Sequence, residues 1–201
     1  GGIVTFIEHL NKNKVCVLPQ PMFISGEEDG TYVELCFQYN TSYNFQLFSY
    51  VNNINTADGG THEQGFRLAI LKCINSYGMG NKIFKVAEDR VSQDDIKEGM
   101  TAIISVKIAS PQFESQKKIK LTNANVRGIV DRILSNKFNI FMEENPQIAR
   151  KIIEKSMDAQ RARLAAKKAR ELTRRKSVLE FSSLPGKLAD CQEKDPASSE
   201  I

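Results

Sequence analysis

The first third of the chain alternates apolar and polar residues in a way that predicts β-strands. Between Thr31 and Tyr39 every second side chain is apolar, and residues 43–51 repeat the pattern. Met22–Ile24 is predicted as a shorter strand, followed by a turn at residues 26–30 (GEEDG). A period of two residues is typical of strands with one buried face, so we expect an antiparallel meander.

Apolar residues at helical spacing predict helices elsewhere in the chain. A short helix is expected from residue 3 to about residue 11, and a longer one from Thr61 to Tyr77. Thr61 and Gln64 have the spacing of a capping box, and Gly78 suits the position after a helix end. A third helix begins near Val126, and its apolar stripe is Val126, Ile129, Val130, Ile133, Leu134, Phe138 and Phe141.

The second half of the chain also contains a buried strand and a long helix. Residues 100–108 (MTAIISVKI) form a continuous apolar run of strand length. A short helix that starts with a capping box, at residues 92–99, precedes it. Asn145 and Pro146 suit the N-cap and first position of a helix, and residues 147–176 contain no Gly or Pro. Such a helix spans about 45 Å, so its later part is expected to extend beyond the core.

The basic charge of the chain is concentrated in that long helix. The chain has 201 residues, 41% of them hydrophobic, which is enough for one medium-sized domain with a core. Residues 150–176 contain eleven Lys or Arg and three Asp or Glu, a net charge of +8 against +4 for the whole chain. A helix of this charge attracts phosphate backbones, although a solvated charged face is the simpler alternative.

The four cysteines are widely spaced and include no C-x-x-C pair: Cys16, Cys36, Cys73 and Cys191. With only two histidines available, they do not indicate a zinc site. Free thiols in a reducing cytoplasm fit this spacing. No apolar run has membrane-spanning length and no signal peptide is present, so no membrane association is expected. The missing initial Met and the end at Ile201 suggest a piece of a longer polypeptide.

His62, in the sequence GGTH, suggests a general base, but the sequence offers it no Ser, Cys or carboxylate partner. We interpret it instead as a histidine in the first turn of a helix.

Residues 110–121 (SPQFESQKKIKL) connect the apolar strand to the helix that begins near Val126. Loops held by a rigid scaffold often carry function, and a lysine suits contact with a phosphate. The alternative is that the three lysines are ordinary solvated charges. The chain has no G-x-x-x-x-G-K-[ST] motif and no Gly-rich strand-to-helix turn. If this loop contacts a nucleotide, another domain must therefore bind the rest of it.

The segment PQFESQKKIKL (111–121) resembles a loop of bacterial DNA gyrase B, which is part of a type IIA topoisomerase. In that family a Gln-Thr-Lys triplet of the loop reaches into the ATPase domain. The triplet matches Gln116, Lys117 and Lys118, so a lysine replaces the threonine. Four further stretches resemble the same family and occur in its order, namely residues 49–67, 97–108, 165–177 and 183–196.

This resemblance implies a domain organisation and a fold. Residues 1–183 correspond to the transducer domain, with the long basic helix at about 147–176, and residues 184–201 to a linker and the beginning of a TOPRIM domain. The implied fold class is α+β: a mixed or antiparallel sheet with helices on one side, a left-handed βαβ crossover shared with a ribosomal protein, and a long C-terminal helix.

The resemblance also implies a function. The chain would couple ATP binding and hydrolysis in the preceding domain to DNA strand passage and negative supercoiling, with Gln116 and Lys118 contacting the terminal phosphate of ATP. No catalytic residue or metal ligand is expected within this chain, because the residues that use ATP and Mg²⁺ lie in other parts of the full-length protein. The chain alone is therefore expected to be inactive.

The implied partners are DNA, gyrase A and a second copy of gyrase B in an A2B2 assembly. The basic residues expected to line the DNA passage are Arg161, Arg163, Lys167, Lys168, Arg170, Arg174, Arg175 and Lys176. Three alternatives stay open: the same region of the B-type protein of topoisomerase IV, a free-standing nucleic-acid-binding module, and a nucleotide switch of the chaperone or mismatch-repair type.

Overall fold

The computed structural model describes residues 2–181, with side chains described through Arg174. Two units divide the chain, Gly1–Arg161 and Ala162–Ile201. The elements are α1 (Ile3–Asn11), β1 (Met22–Glu28), β2 (Thr31–Tyr39), β3 (Gln46–Val51), β4 (Ile54–Asn55), α2 (Thr61–Gly80), a 3-10 turn (Ala87–Asp89), α3 (Gln93–Lys97), β5 (Met100–Lys107), α4 (Ala124–Glu144) and α5 (Pro146–Phe181).

The five strands form one mixed sheet in the order β1-β2-β5-β3-β4. The apolar strand β5 lies in the centre, antiparallel to β2 and parallel to β3. The predicted meander is therefore wrong, because β5 separates two strands that follow each other in the chain. Seven of the eight residues of β5 are buried or half-buried, and a strand covered on both faces suits a central position. The expected α+β class with a mixed sheet is confirmed.

The connection between the parallel neighbours β3 and β5 contains β4, α2 and α3. It is a βαβ crossover, as the resemblance implies, and its left-handed sense stays a prediction. The strand β3 begins at Gln46 rather than at Tyr43.

The hairpin β1–β2 differs from its prediction. The strand β1 continues through Gly26 to Glu28, and the turn consists only of Asp29 and Gly30, at φ 50° and 69°. Two residues at positive φ form the hairpin turn that Asp-Gly favours. Gly26 has a different role, since a Cβ there would lie 2.9 Å from Ile133 Cγ2 on α4. Its missing side chain allows the helix to approach the strand.

The helices α2 and α4 pack on each other and on one face of the sheet. Phe37 of β2 makes edge contacts there with Phe66 of α2 and Phe138 of α4, at centroid distances of 6.1 Å and 5.4 Å. The short helix α1 lies on the opposite face, where Ile7 packs in a small cluster with Cys36 and Ile103. The main helices are thus on one side as expected, and α1 adds a smaller second layer.

Both ends of α2 differ from the predicted ones. The N-cap is Gly60, so Thr61 is the first helical residue and the expected Thr61–Gln64 capping box is wrong. Gly78 lies inside the helix, which continues to Gly80, and a Cβ at Gly78 would lie 2.5 Å from the Phe84 ring. Gly78 is therefore explained by its contact with Phe84 rather than by a cap.

The helix α5 begins at Pro146, as predicted, and continues past residue 176 to Phe181. Its 36 residues correspond to about 54 Å. Ala149, Ile152 and Ile153 are buried, which confirms that the first turns pack on the core. Residues 161–174 are exposed. In the described part of the chain, no helix is long and apolar enough to cross a membrane.

Candidate functional site

The lysine-rich connection between β5 and α4 is folded as a small hairpin, residues 113–121, called the lysine hairpin below. Phe113 and Leu121 form an antiparallel bridge at its base. Inside this bridge, the N–H of Glu114 donates to the carbonyl of Lys120 at 3.0 Å. At the tip, the N–H of Lys118 donates to the carbonyl of Ser115 at 3.0 Å, which closes a four-residue turn.

The tip presents the residues that the sequence singled out. Lys118 has φ 57°, in the left-handed region, which costs an L-residue roughly 1 kcal/mol and is usually occupied by glycine in a three-residue hairpin loop. Gln116, Lys117 and Lys118 are all exposed. Their side chains make no hydrogen bond or ion pair with the described residues. The structure therefore brings the two predicted phosphate-contacting residues together at an exposed tip.

The outgoing limb of the lysine hairpin lies against the segment that begins α2. The N–H of Asp58 donates to Ile119 O at 2.9 Å, Leu121 N–H donates to Gly59 O at 3.1 Å, and Thr61 N–H donates to Leu121 O at 3.1 Å. Gly60, at φ 144°, lies so close that a Cβ would be 2.4 Å from Leu121 O. No side chain fits between these two backbones, which explains the second glycine of GGTH.

The segment that leads into the lysine hairpin, residues 108–112, is held by two asparagines that sequence analysis missed. The Asn52 side chain bonds both the N–H and the carbonyl of Ile108, each at 2.9 Å. The Asn123 side chain bonds Ser110 and Gln112. Neither asparagine belongs to a periodic pattern, and each is linked to a residue more than ten positions away. Only the folded chain reveals these contacts.

His62 belongs to a buried hydrogen-bond chain beneath the start of α2. Its Nε2 lies 3.1 Å from Thr56 Oγ1, which lies 2.8 Å from Ser49 Oγ. The Ser49 hydroxyl donates to Glu63 Oε1 at 2.7 Å. Burial lowers the pKa of His62 to about 4, so the ring is neutral at pH 7. Fully buried and bonded to a threonine, His62 supports the fold, which agrees with our interpretation of it as a histidine of the first helical turn.

The basic residues predicted to contact DNA lie on α5. Those with described side chains are all exposed: Arg161, Arg163, Lys167, Lys168, Arg170 and Arg174. Side chains of Arg175 and Lys176 lie outside the described part. Arg161 pairs with Asp158, and Lys167 Nζ lies 4.0 Å from Glu171 Oε1.

Four of these residues share one face of the helix in the second unit. Their spacing of four, three and four positions places them within about 60° of each other at 100° per residue. This basic stripe consists of Arg163, Lys167, Arg170 and Arg174. By the same geometry Lys168 lies about 130° from the centre of this stripe, on a different face. The eight predicted residues therefore cannot all contact one duplex.

Three of the four cysteines lie in the described part of the chain. Cys36 and Cys73 are buried and Cys16 is exposed, while Cys191 lies outside the described residues. Burial raises the pKa of Cys36 to about 12, which keeps its thiol protonated. Among the residues that the structure describes, no group of three or more His, Cys, Asp and Glu can hold a metal ion.

The fold is similar to part of the ATP-binding regions of bacterial topoisomerases. One such structure is the 43K ATPase domain of Thermus thermophilus gyrase B, with a TM-score of 0.78 and 35% identity over 86% of this chain and 46% of that one. Another is the topoisomerase IV ATP-binding domain of Francisella tularensis, with a TM-score of 0.71 and 28% identity over 81% of this chain and 43% of that one.

Sequence comparison narrows this class to one family. The DNA gyrase B family profile matches residues 2–172, and the chain belongs to that family. The DNA gyrase B protein of Bacillus mycoides is 53% identical over the whole chain. The chain spans 50% of the length of that relative. The resemblance to the DNA gyrase B family is thereby confirmed.

The buried His62 predicts a loss of stability in mild acid. Its pKa is about 4 in the folded chain and about 6.5 when unfolded, so the unfolded state binds the extra proton. The stabilising contribution is complete above pH 6.5 and is lost as the pH falls toward 4. Between pH 7 and pH 5 the free energy of unfolding should fall by about 2 kcal/mol through this group, measured by urea denaturation.

His62→Gln is the control, because it keeps a polar side chain that does not titrate. Its unfolding free energy should change by about 2 kcal/mol less over the same interval, since every other titratable group is common to both proteins. Parallel pH profiles for the two proteins would show that His62 is not a buried neutral histidine.

Proposed function

We propose that residues 1–183 form the transducer region of a gyrase B protein, with residues 184–201 as a linker and the beginning of a TOPRIM domain. In this role the chain couples ATP binding and hydrolysis in a preceding ATPase domain to DNA strand passage and negative supercoiling. The observation that carries the proposal is the lysine hairpin, whose base is bonded to the fold while its tip presents exposed polar side chains. Membership of the DNA gyrase B family points to a nucleotide as the ligand of that tip.

The part of the nucleotide that suits the tip is the terminal phosphate of ATP. The Lys118 ammonium supplies a positive charge, and the Gln116 carboxamide supplies N–H donors. The tip is exposed and forms no enclosure, so the remainder of the nucleotide and its Mg²⁺ require residues of another domain. The chain alone should accordingly hydrolyse no ATP and cleave no DNA.

A contact with the terminal phosphate makes the hairpin a switch. The nucleotide favours the state in which the hairpin tip lies against it only while the terminal phosphate is attached. Hydrolysis therefore removes the difference in binding energy between this state and the released one. Since the outgoing limb is hydrogen-bonded to the start of α2, a displacement of the tip acts directly on that helix. This gives a physical connection from the nucleotide to the core of the domain.

The proposed assembly partners are gyrase A, a second copy of gyrase B and DNA. Duplex DNA would contact the basic stripe of α5 through its phosphates, without regard to sequence. The B-type protein of topoisomerase IV is the second candidate, supported by the fold shared with the Francisella tularensis structure. The family profile and the 53% identity to a gyrase B protein favour gyrase.

The first functional prediction concerns Lys118. In the full-length protein, Lys118→Ala should leave ATP binding nearly unchanged but slow hydrolysis and supercoiling by about 10²-fold or more, because a fixed positive charge stabilises the transferred phosphate most in the transition state. Lys117→Ala removes the same charge from the neighbouring tip position and should change the rate by less than about threefold.

Lys118→Gly distinguishes the effect of the Lys118 charge from that of the backbone conformation at this position. Glycine accepts φ 57° without strain but has no ammonium, so this variant should be as slow as Lys118→Ala. Recovery of the rate in Lys118→Gly would show that the turn matters rather than the charge. Equal effects at Lys117 and Lys118 would show that the residue assigned to the phosphate is wrong.

The second functional prediction concerns the basic stripe. Four phosphate contacts should give a slope of log K against log salt near −3.6, at about −0.9 per contact. Reversing the charge of two stripe residues together, Lys167→Glu and Arg170→Glu, should make the slope shallower, about −1.8 or closer to zero. Binding of a short duplex is measured at several salt concentrations.

Lys168→Glu is the matched control, because Lys168 is the same residue type as its neighbour Lys167 but lies about 130° from the centre of the basic stripe. It should leave the slope within about 0.5 of the unmodified protein. Equal slopes for the stripe and control variants, or an affinity independent of salt, would contradict a DNA contact through this face.

A further inference from the structure

Asn123 occupies the N-cap of α4, but its side chain does not cap the helix. An asparagine at this position normally accepts a hydrogen bond from the first helical turn. Here Oδ1 accepts from the N–H of Gln112 at 2.6 Å, and Nδ2 donates to the carbonyl of Ser110 at 3.1 Å. The side chain thus fastens the segment that leads into the lysine hairpin, residues 110–112, to the start of α4.

Additional contacts link the two sides of the lysine hairpin, both within it and just outside its base. The N–H and hydroxyl of Thr122 both donate to Gln112 O, at 2.8 Å and 3.1 Å. Lys120 Nζ lies 2.8 Å from Glu114 Oε1 across the hairpin, and this ion pair raises the pKa of Lys120. Glu114 and Lys120, the two charged side chains near the base of the hairpin, therefore pair with each other, whereas Lys117 and Lys118 at the tip extend into solvent.

We propose that Asn123 and the Glu114–Lys120 ion pair are positioning residues, which hold the lysine hairpin folded before a nucleotide binds. This inference rests on the proposed contact of Gln116 and Lys118 with the terminal phosphate. A loop that is already folded loses little conformational entropy when its tip docks. Loosening either contact should therefore reduce the fraction of bound nucleotide that Lys118 engages.

In the test, kcat and KM for ATP are measured separately for the full-length protein. Asn123→Ala should lower kcat about 3- to 10-fold, as expected for the loss of one or two hydrogen bonds, with less than about a twofold change in KM. Asn145→Ala is the matched control, because Asn145 precedes α5 and bonds Phe141 O at 2.9 Å, away from the hairpin. It should leave kcat unchanged.

The ion pair is tested by charge exchange, which cannot disturb the core because both residues are on the surface. Glu114→Lys should lower kcat, and the double variant Glu114→Lys with Lys120→Glu should restore most of it. Melting temperatures of all variants distinguish a local effect from unfolding. Unchanged kcat in Asn123→Ala and Glu114→Lys would overturn the positioning role.

A double-mutant cycle with Lys118→Ala separates this inference from the proposed function. A residue that acts through Lys118 should have little further effect on kcat once Lys118 is replaced. If Asn123→Ala slows hydrolysis equally in both backgrounds, Asn123 acts by another route and the inference is overturned. If Lys118→Ala itself is harmless, the proposed phosphate contact fails, whatever Asn123→Ala does.

Discussion

The structure depends most on the close packing of two backbone segments, the outgoing limb of the lysine hairpin and the glycine pair that precedes α2. Leu121 exchanges hydrogen bonds with Gly59 and Thr61, and any side chain at Gly60 would collide with its carbonyl. Buried backbone groups must find partners, and this docking also satisfies the Thr61 N–H, one of the donors that the helix start leaves open. It joins the loop that presents Lys118 to the helix that spans the domain.

The helix α2 also packs closely against α4 and the sheet. A Cβ at Gly65 would lie 2.4 Å from Arg127 O, so α2 approaches the first turns of α4 as closely as it approaches the hairpin. Further along, Phe66 and Phe138 meet Phe37 of the sheet. Because a packed core yields little, this packing supports the proposal that a displacement of the hairpin would be passed to these helices.

The sequence predicted elements whose pattern is local and missed features that arise from distant contacts. The alternation of β2 and the stripe of α4 correctly predicted both elements, since burial on one face determines residue type. The meander was wrong because strand order depends on β5, which follows β3 only after a long crossover. The capping box at Thr61 was wrong because Gly60 is needed against Leu121. Gln116 and Lys118 came from resemblance, whereas the hairpin that presents them came only from the structure.

Chemical acylation of lysines in the full-length protein, followed by mass spectrometry, tests most directly whether Lys118 contacts the terminal phosphate. Acylation needs the free amine, so a lysine whose ammonium is held on a phosphate is protected, whereas an exposed lysine loses its proton readily and reacts. Lys118 should be protected by a non-hydrolysable ATP analogue and should react freely with ADP bound, while Lys117 reacts in both states. Equal reactivity of Lys118 with the ATP analogue and with ADP would contradict the claim that this hairpin senses the terminal phosphate.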